Sequence, residues 1–168
     1  MRVALLPGER FRGRLIAGQS VIPCVIGPGG ITRRKREGDG ATPAGSFALH
    51  HVLVRLDRAP RPLTGLPCRR IRPKDGWCDD PLAGCYNRAV TLPAAVGHEH
   101  LWRDDRLYDA VVVIDYNLRP ARKMKGSAIF LHVQASPVRP TAGCVAVTAP
   151  DLRRLLLRIG PATRILIG

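Results

Sequence analysis

The sequence predicts a mainly β domain with one helix, placed in the C-terminal half at about residues 149–159. Glycine (17 residues) and proline (15) are frequent and aromatic residues are scarce at 5%, a balance typical of short strands joined by tight turns. The helix is indicated by one stretch of helical apolar spacing near the C-terminus. A chain of 168 residues with 45% hydrophobic residues suits one globular domain, so we expect a single domain over 1–168.

Eight segments have the short apolar or alternating pattern of strands. They cover residues 3–6, 14–16, 21–26, 46–56, 110–116, 127–133, 144–148 and 163–167. Pro23 interrupts the third segment, and because proline has no backbone N–H, we expect this strand to lie at a sheet edge or to contain a bulge. The β-branched run AVVVIDY at 110–116 is the strongest prediction of a buried strand.

The helix is defined by its ends as well as by its apolar stripe. Thr148 is a capping residue, Pro150 lies in the first turn, and Asp151 follows the cap by three residues in a variant capping box. Gly160 and Pro161 end the helix. The residues at the i, i+3, i+4, i+7 spacing of a core-facing stripe are Leu152, Leu155, Leu156 and Ile159.

Between the fourth and fifth predicted strands, residues 60–81 contain five prolines. Because each proline fixes its own φ angle, we expect a stiff and irregular segment there. This segment forms either a rigid cap over a substrate cleft or a plain surface loop.

The chain is strongly basic, with 27 Lys and Arg against 13 Asp and Glu and a formal net charge of +14. Such an excess favours polyanionic partners, while a solvated basic surface is the simpler alternative. No nucleic-acid-binding motif is present, so nucleic acid is not predicted as a partner. No stretch approaches the roughly 18 apolar residues of a membrane span, and the apolar run at 3–6 is too short for a signal peptide. On these grounds the chain reads as cytoplasmic unless a leader was trimmed.

His132 and Cys144 are the pair with the clearest chemical potential. If 127–133 and 144–148 form an antiparallel hairpin, the two residues lie opposite each other and the turn centres on Val138. Their Cβ atoms would then be about 5 Å apart, and a neighbouring imidazolium could lower the thiol pKa. Gly143 allows a sharp bend, and the amides around it could bind an oxyanion. The alternative is that both residues are ordinary buried strand residues.

Three segments together resemble the YkuD-type L,D-transpeptidase catalytic domain, in a short single-domain branch of that family. The first is HVQASPVRPTAGCVAV around the His–Cys pair. The second is GDGATPAGSFAL at 38–49, and the third combines GWCDDPLAGCYN at 76–87 with SAIFLHV at 127–133. The resemblance implies a YkuD-like β-sandwich or barrel. It also implies that Cys144 is the nucleophile, His132 the base, Gly143 the preceding glycine and Thr141 the family's Ser/Thr.

Two positions depart from the family pattern. Ala142 stands where most members have a second histidine, and no arginine follows Cys144 shortly afterwards. These departures concern recognition of the donor substrate more than the His–Cys chemistry.

The resemblance implies a cysteine acyl-enzyme reaction on peptidoglycan stem peptides, with no cofactor. The leading hypothesis is an L,D-transpeptidase that cross-links two stem peptides and would act in the cell envelope. One alternative is a cytoplasmic L,D-carboxypeptidase acting on recycled muropeptides. The other is a basic binding module without catalysis. The oligomeric state is not indicated.

Five residues are predicted to bind substrate in addition to Thr141. Arg139 would pair with a carboxylate of the stem peptide, or is a plain exposed arginine. Asp79 or Asp80 would hold the amine of the acceptor, and Tyr86 and Asn87 would line the cleft. Alternatively, the Asp79–Asp80–Pro81 sequence starts a turn and Tyr86 packs beneath it.

The chain has five cysteines, an odd number that excludes a complete disulfide framework, and free thiols are the default in a reducing compartment. A zinc site is not predicted, because the cysteines and histidines lack the paired spacing of structural zinc sites. The residues considered are Cys68, Cys78, Cys85, His98 and His100.

Overall fold

The computed structural model describes the whole chain, Met1–Gly168, as fourteen strands and one helix. The strands are β1 (Arg2–Leu5), β2 (Arg12–Ala17), β3 (Ser20–Val25), β4 (Ile31–Thr32), β5 (Thr42–Pro43), β6 (Gly45–Val54), β7 (Cys68–Arg70), β8 (Asp75–Cys78), β9 (Ala89–Thr91), β10 (His98–His100), β11 (Ala110–Ile114), β12 (Phe130–Val133), β13 (Val145–Val147) and β14 (Arg164–Ile167). The helix is α1 (Ala149–Leu156). The predicted fold class, mainly β with one helix in the C-terminal half, is therefore confirmed. The structure has no helix with the length and hydrophobicity of a membrane span.

Eight of the strands close into a barrel. Their order around it is β11, β12, β13, β3, β2, β1, β14 and β6, and the pairing of β6 with β11 completes the ring. These are the eight strands that the sequence predicts. Closure pairs the two end strands of the sheet with each other, while the pairing of β13 with β3 is limited to Val25. β7 pairs in parallel with the end of β6.

A second, smaller layer packs on the outside of the barrel. β8 lies between β9 and β10 in a three-stranded antiparallel sheet. The strands of this sheet are three or four residues long, and the sequence does not predict them. One of them, β8, lies together with β7 in the proline-rich segment 60–81, so the prediction of an irregular segment is wrong at 68–70 and 75–78.

The two layers produce two hydrophobic clusters, and β11 separates them. Val112 and Ile114 belong to the larger cluster, which joins the inward face of the barrel strands to the buried side of α1. Val111 and Val113 belong to the smaller cluster on the outer face, with Trp77 and Tyr108. Because side chains alternate along a strand, β11 is buried on both faces, as its continuous run of valines indicates.

The same alternation places the His–Cys pair on the outer face of the barrel. In β12, Leu131 points into the larger cluster, while Phe130 belongs to the smaller cluster outside. His132 is two residues from Phe130 and therefore lies on the same outer face. Cys144 also belongs to the outer cluster.

The predicted antiparallel hairpin of β12 and β13 is wrong, because the two strands are parallel. Leu131 pairs with Val145 and His132 with Ala146, so His132 does not face Cys144 directly. The connecting residues 134–144 run across to β3, where Thr141 N–H donates to Ile26 O at 3.1 Å. This crossover returns the chain to the start of the neighbouring strand, as a parallel connection requires.

Two further predictions concern element ends. β3 lies between β2 and β13, but β13 pairs with it only at Val25, so Pro23 sits on an unpaired stretch of edge as expected. The helix ends at Leu156 instead of 159. The carbonyl of Ile159 accepts hydrogen bonds from Gly65 N–H and the Thr64 hydroxyl, while the Ile159 side chain still packs in the larger cluster.

Candidate active site

Cys144 lies in the tight turn that leads into β13. Gly143 has φ +134°, and a Cβ at this position would lie 2.8 Å from Ala41 O. Both observations require glycine here, because a side chain would strain the backbone and collide with it. Ala41 belongs to the segment GDGATPAGSFAL, so two of the three segments that carry the family resemblance meet at this turn.

Thr141 holds the turn from inside. Its hydroxyl donates to Cys144 O at 2.7 Å and accepts from Gly143 N–H at 3.1 Å. The Gly143 amide is therefore engaged and does not serve as an oxyanion donor in this arrangement. The amides of Ala142 and Cys144 donate no hydrogen bond within the chain, which leaves them as the available oxyanion donors.

The Cys144 thiol is held by the backbone of the strand opposite. Its Sγ donates to Ala128 O at 3.1 Å and accepts from Phe130 N–H at 3.3 Å. Burial raises the pKa of Cys144 to about 12, and the Phe130 N–H opposes this rise. The sulfur is therefore a neutral thiol in the free protein and not the preformed thiolate that the sequence analysis expects.

His132 has the tautomer of a general base. Nδ1 donates to its neighbour's carbonyl, Val133 O, at 2.8 Å, so Nε2 carries the free lone pair. The Tyr108 ring packs edge-on against the imidazole with a centroid distance of 5.3 Å. Burial lowers the pKa of His132 to about 4, so the ring is neutral at pH 7. The expected imidazolium, which would lower the thiol pKa, is therefore absent.

The imidazole and the thiol share one cavity but form no hydrogen bond with each other. In the parallel register, Phe130 lies beside Cys144 and His132 lies one outward-facing position further along. The strand spacing and rise then separate the Cα atoms of His132 and Cys144 by about 8 Å. Contacts of catalytic groups are often long before substrate binds, so this diagonal placement is compatible with proton transfer once a substrate fills the space.

The cavity that both side chains enter has a volume of about 330 Å³. Its charged lining is mostly acidic and consists of Glu37, Asp79, Glu99 and Arg103. Burial raises the pKa of Glu99 and also that of Asp79. This local acidity contrasts with the net charge of +14 for the whole chain. Four other lining residues, Glu37, Glu99, Arg103 and Tyr108, could not be predicted, because they lie outside the three segments that resemble the family.

Of the predicted substrate-binding residues, the cavity includes Asp79 and Thr141 only. Arg139 is exposed and does not line the cavity, although its charge acts on Asp105. Asp80 caps a turn, because its Oδ1 accepts from Leu82 N–H at 2.9 Å, as the turn interpretation predicts. Of the proline-rich segment 60–81, Asp79 alone lines the cavity, so the five prolines of this segment do not form a cap over it.

Tyr86 and Asn87 do not line the cavity either, and lie behind its wall. Tyr86 is buried and donates from its hydroxyl to Glu37, which also accepts from Ser127 Oγ at 2.8 Å. The Asn87 carbonyl oxygen accepts from Trp77 Nε1 at 2.9 Å and from Ala128 N–H at 3.0 Å. Its amide donates to Tyr116 O at 3.2 Å and to Asn117 O at 2.7 Å. With every donor and acceptor in use, Asn87 has no group left for a substrate.

Asn87 instead supports the thiol indirectly. It fixes Ala128 N–H, and Ala128 O accepts from Cys144 Sγ. Ala128 has φ +50°, which is unfavourable for a residue with a Cβ. The Asn87 side chain therefore helps to hold a strained peptide whose carbonyl orients the sulfur.

We expect Asn87→Ala to lower the free energy of unfolding by about 3 kcal/mol, because it leaves buried partners of four hydrogen bonds unsatisfied. Denaturant unfolding measures this loss. Asn87 itself has φ +57°, so Asn87→Gly is the matched control that removes the same bonds without backbone strain. We expect the glycine variant to recover about 1 kcal/mol. Wild-type stability of the glycine variant would show that the hydrogen bonds do not stabilise the site.

No group of three or more His, Cys, Asp or Glu side chains has an arrangement suited to a metal ion. The titratable residues of the cavity are instead spaced around an open volume next to the thiol. The groups next to the open volume that can take part in acyl transfer are the Cys144 sulfur, the His132 imidazole and the free amides of the turn.

The comparisons with known proteins agree with this geometry. The family model of the L,D-transpeptidase catalytic domain, YkuD, matches residues 9–167. No curated protein and no solved structure matches the chain at a significant level. The match covers both strands of the His–Cys pair, the turn at Gly143 and almost all of the barrel. The chain therefore belongs to the family of YkuD-type L,D-transpeptidase catalytic domains.

Proposed function

We propose that the protein is a peptidoglycan L,D-transpeptidase that transfers a stem-peptide acyl group through a Cys144 thioester to an amine of a second stem peptide. The observation that carries the proposal is the shared cavity. The cavity is lined by Cys144, His132 and Ala142. The Nε2 of His132 is free to accept a proton, and the amides of Ala142 and Cys144 donate no hydrogen bond. These are the nucleophile, base and oxyanion donors that acyl transfer needs.

The first half-reaction starts from two neutral groups. His132 Nε2 takes the proton of the Cys144 thiol as the sulfur attacks the carbonyl of an L-residue. The amides of Ala142 and Cys144 donate to the resulting oxyanion. The intermediate collapses by breaking the peptide bond, and the imidazolium returns the proton to the amine of the leaving D-residue. A thioester on Cys144 and a neutral His132 remain.

The second half-reaction uses the same groups. The acceptor ammonium group of a second stem peptide first releases one proton to solvent, and the resulting neutral amine attacks the thioester. His132 accepts a second proton from the attacking nitrogen and returns it to the sulfur as the thiol leaves. Water in place of the amine would give a carboxypeptidase. The two outcomes share the acyl-enzyme and differ in which nucleophile reaches it.

The acidic lining of the cavity supports an amine as the second substrate. Asp79, Glu37 and Glu99 all line the cavity, and a protonated amine is the substrate group that carboxylates attract. The sequence indicates Asp79 or Asp80 for the acceptor amine, and of these two only Asp79 lines the cavity. Its raised pKa reflects burial and the nearby charge of Glu37, and a bound ammonium group would relieve both effects.

We expect Asp79→Asn to raise KM for the acceptor amine by about tenfold and to change release of the D-residue much less. The carboxylate binds the second substrate, so only the second half-reaction depends on it. Initial rates of dimer formation at varied acceptor concentration measure the effect. Asp80→Asn is the matched control, because the neighbouring side chain caps a turn outside the cavity. Equal effects of both changes would contradict the assignment.

The activity itself is tested with purified muropeptides. The proposal predicts new cross-linked dimers, detected by mass spectrometry, that depend on Cys144. Tripeptides without dimers would identify a carboxypeptidase instead. Unchanged muropeptides, with the protein folded, would leave the non-catalytic binding module as the remaining hypothesis.

A further inference from the structure

A second cavity, of about 610 Å³, lies between the β6–β7 pair and the three-stranded sheet. It shares no lining residue with the cavity of Cys144. Its lining includes four arginines, Arg69, Arg70, Arg88 and Arg119. We call this volume the arginine cavity.

The positive charge of the arginine cavity is not neutralised by the protein. None of its four guanidinium groups lies within 4.0 Å of a carboxylate, whereas Arg55, Arg58 and Arg103 elsewhere in the chain all form such ion pairs. Asp75 is the only acidic residue in the lining. Its carboxylate accepts instead from the backbone N–H of Arg72 at 2.8 Å. Cations gathered around an open volume without partners favour an anionic ligand.

Two histidines in the lining, His50 and His51, lie close to these arginines. Arg119 donates from Nη2 to His50 Nε2 at 2.9 Å, so the proton of His50 is on Nδ1 and is shared with His51 Nδ1 at 2.7 Å. This arrangement leaves Nε2–H of His51 as a further donor. Burial, followed by the electrostatic effects of the neighbouring His50, Arg69 and Arg119, lowers the pKa of His51 to about 4. The cavity is therefore an electropositive environment lined with N–H donors.

We propose that the arginine cavity binds a ligand that carries two or more adjacent phosphate groups. A guanidinium offers five N–H donors in a fork that fits two oxygens at a time. Four such groups exceed what the two oxygens of one carboxylate can accept. A diphosphate offers several charged oxygens within a few ångströms and matches both the charge and the donor count. This assignment does not depend on the reaction at Cys144.

Isothermal titration of the full chain with inorganic pyrophosphate tests the proposal, with inorganic phosphate and succinate as comparison probes. We expect pyrophosphate to bind at least tenfold more tightly than either, and Arg69→Ala with Arg88→Ala to weaken its binding by about a hundredfold. Arg12→Ala with Arg14→Ala removes the same charge from β2, outside the cavity, and should change the affinity less than threefold.

Equal weakening by both double variants would show that pyrophosphate is attracted by the overall charge only, and would overturn the site. Succinate binding as tight as pyrophosphate would overturn the phosphate assignment. If pyrophosphate, phosphate and succinate all give no heat of binding at millimolar concentration, the proposal as a whole is overturned.

An independent observation concerns two cysteines. Cys78 ends β8 and is fully buried, whereas Cys85 is half-buried, and their sulfur atoms are 2.9 Å apart. A disulfide has its sulfurs about 2.0 Å apart, so closing the bond needs a shift of about 0.9 Å. The remaining three cysteines contact no other cysteine sulfur.

We infer that Cys78 and Cys85 are a disulfide-forming pair at the rim of the active site. The partly exposed Cys85, as thiolate, attacks a small disulfide and releases one thiol. Cys78 then loses its proton and attacks the Cys85 sulfur, which forms the intramolecular bond and releases the second thiol. Two protein thiols are oxidised and one small disulfide is reduced. The bond ties down residues 79–84, among them Asp79 of the Cys144 cavity.

Oxidised glutathione, added to the full chain, tests this pair. We expect the intact mass to fall by two hydrogens, and titration of the denatured protein to find three free thiols in place of the original five. Peptide mapping should join Cys78 to Cys85, and Cys85→Ser should form no internal disulfide. Retention of five thiols would overturn the inference. So would a stable glutathione adduct on Cys85, because it would show that Cys78 does not reach the sulfur.

Discussion

Replacing Cys144 with alanine should lower kcat/KM for dimer formation by about 10⁴-fold or more, because no thioester can form without the sulfur. We expect the variant to fold, because Cys144 is the last residue of the loop before β13 and replacing its sulfur with hydrogen leaves only a small cavity. The loss of its contact leaves Phe130 N–H without a partner, at a cost of about 1–2 kcal/mol. Dimer formation from muropeptides and denaturant unfolding measure the two effects separately.

Cys24 provides the matched control for this change. It is also a buried thiol whose pKa burial raises to about 12, but it lies in β3 and faces the larger hydrophobic cluster instead of the cavity. Cys24→Ala should therefore keep the activity while it lowers stability by a similar amount. If the Cys144→Ala variant still formed dimers, the acyl-enzyme mechanism would be contradicted.

The buried state of Cys144 also changes what thiol labelling should show. A thiol with its pKa near 12 is not activated in the free protein. The half-buried Cys85 is expected to react with iodoacetamide earlier than Cys144. Burial therefore predicts that Cys144 is not the most reactive of the five cysteines in the free protein.

His132→Gln should lower kcat/KM by about 10³-fold, the usual contribution of a positioned general base. In the wild-type protein we expect kcat/KM to rise as the pH rises through about 4 and to stay level through neutral pH. The base must be neutral to accept a proton, and burial lowers the pKa of His132 to about 4. An exposed histidine would place the same limb near 6.5.

A profile of kcat/KM from pH 3 to 8 measures this limb, with circular dichroism at each pH to show that the protein remains folded. His100→Gln serves as the control, because His100 is exposed on β10 and outside the cavity. It should leave the profile unchanged. An acid limb near 6.5 in the wild-type protein would contradict the neutral imidazole–thiol pair.

The eight barrel strands could be predicted from the sequence because each buries at least one face. A strand with one buried face has alternating apolar residues, and a strand with two buried faces has a continuous apolar run. AVVVI at 110–114 is buried on both faces and has the continuous run. β8, β9 and β10 could not be predicted. They are three or four residues long, too short for a period to be recognised, and they are held by packing against the barrel.

The sequence by itself indicated His132 and Cys144 as the candidate pair, through residue type, the preceding glycine and the resemblance of three segments. Alternation along β12 also follows from the sequence, and it places His132 on the same face as Phe130. The tertiary structure decided that β12 and β13 are parallel, because the route of 134–144 past Ile26 depends on a contact between distant segments.

The tertiary structure also decided the chemistry of the pair. Glu37, Asp79 and the neighbouring pair Glu99 and Arg103 reach the cavity from three separate parts of the chain, while Arg139, only five residues from Cys144, stays outside it. Whether the thiol and the imidazole are charged depends on how much water the fold removes from around them. Desolvation is a property of all the surrounding segments together, and no local pattern in the sequence records it.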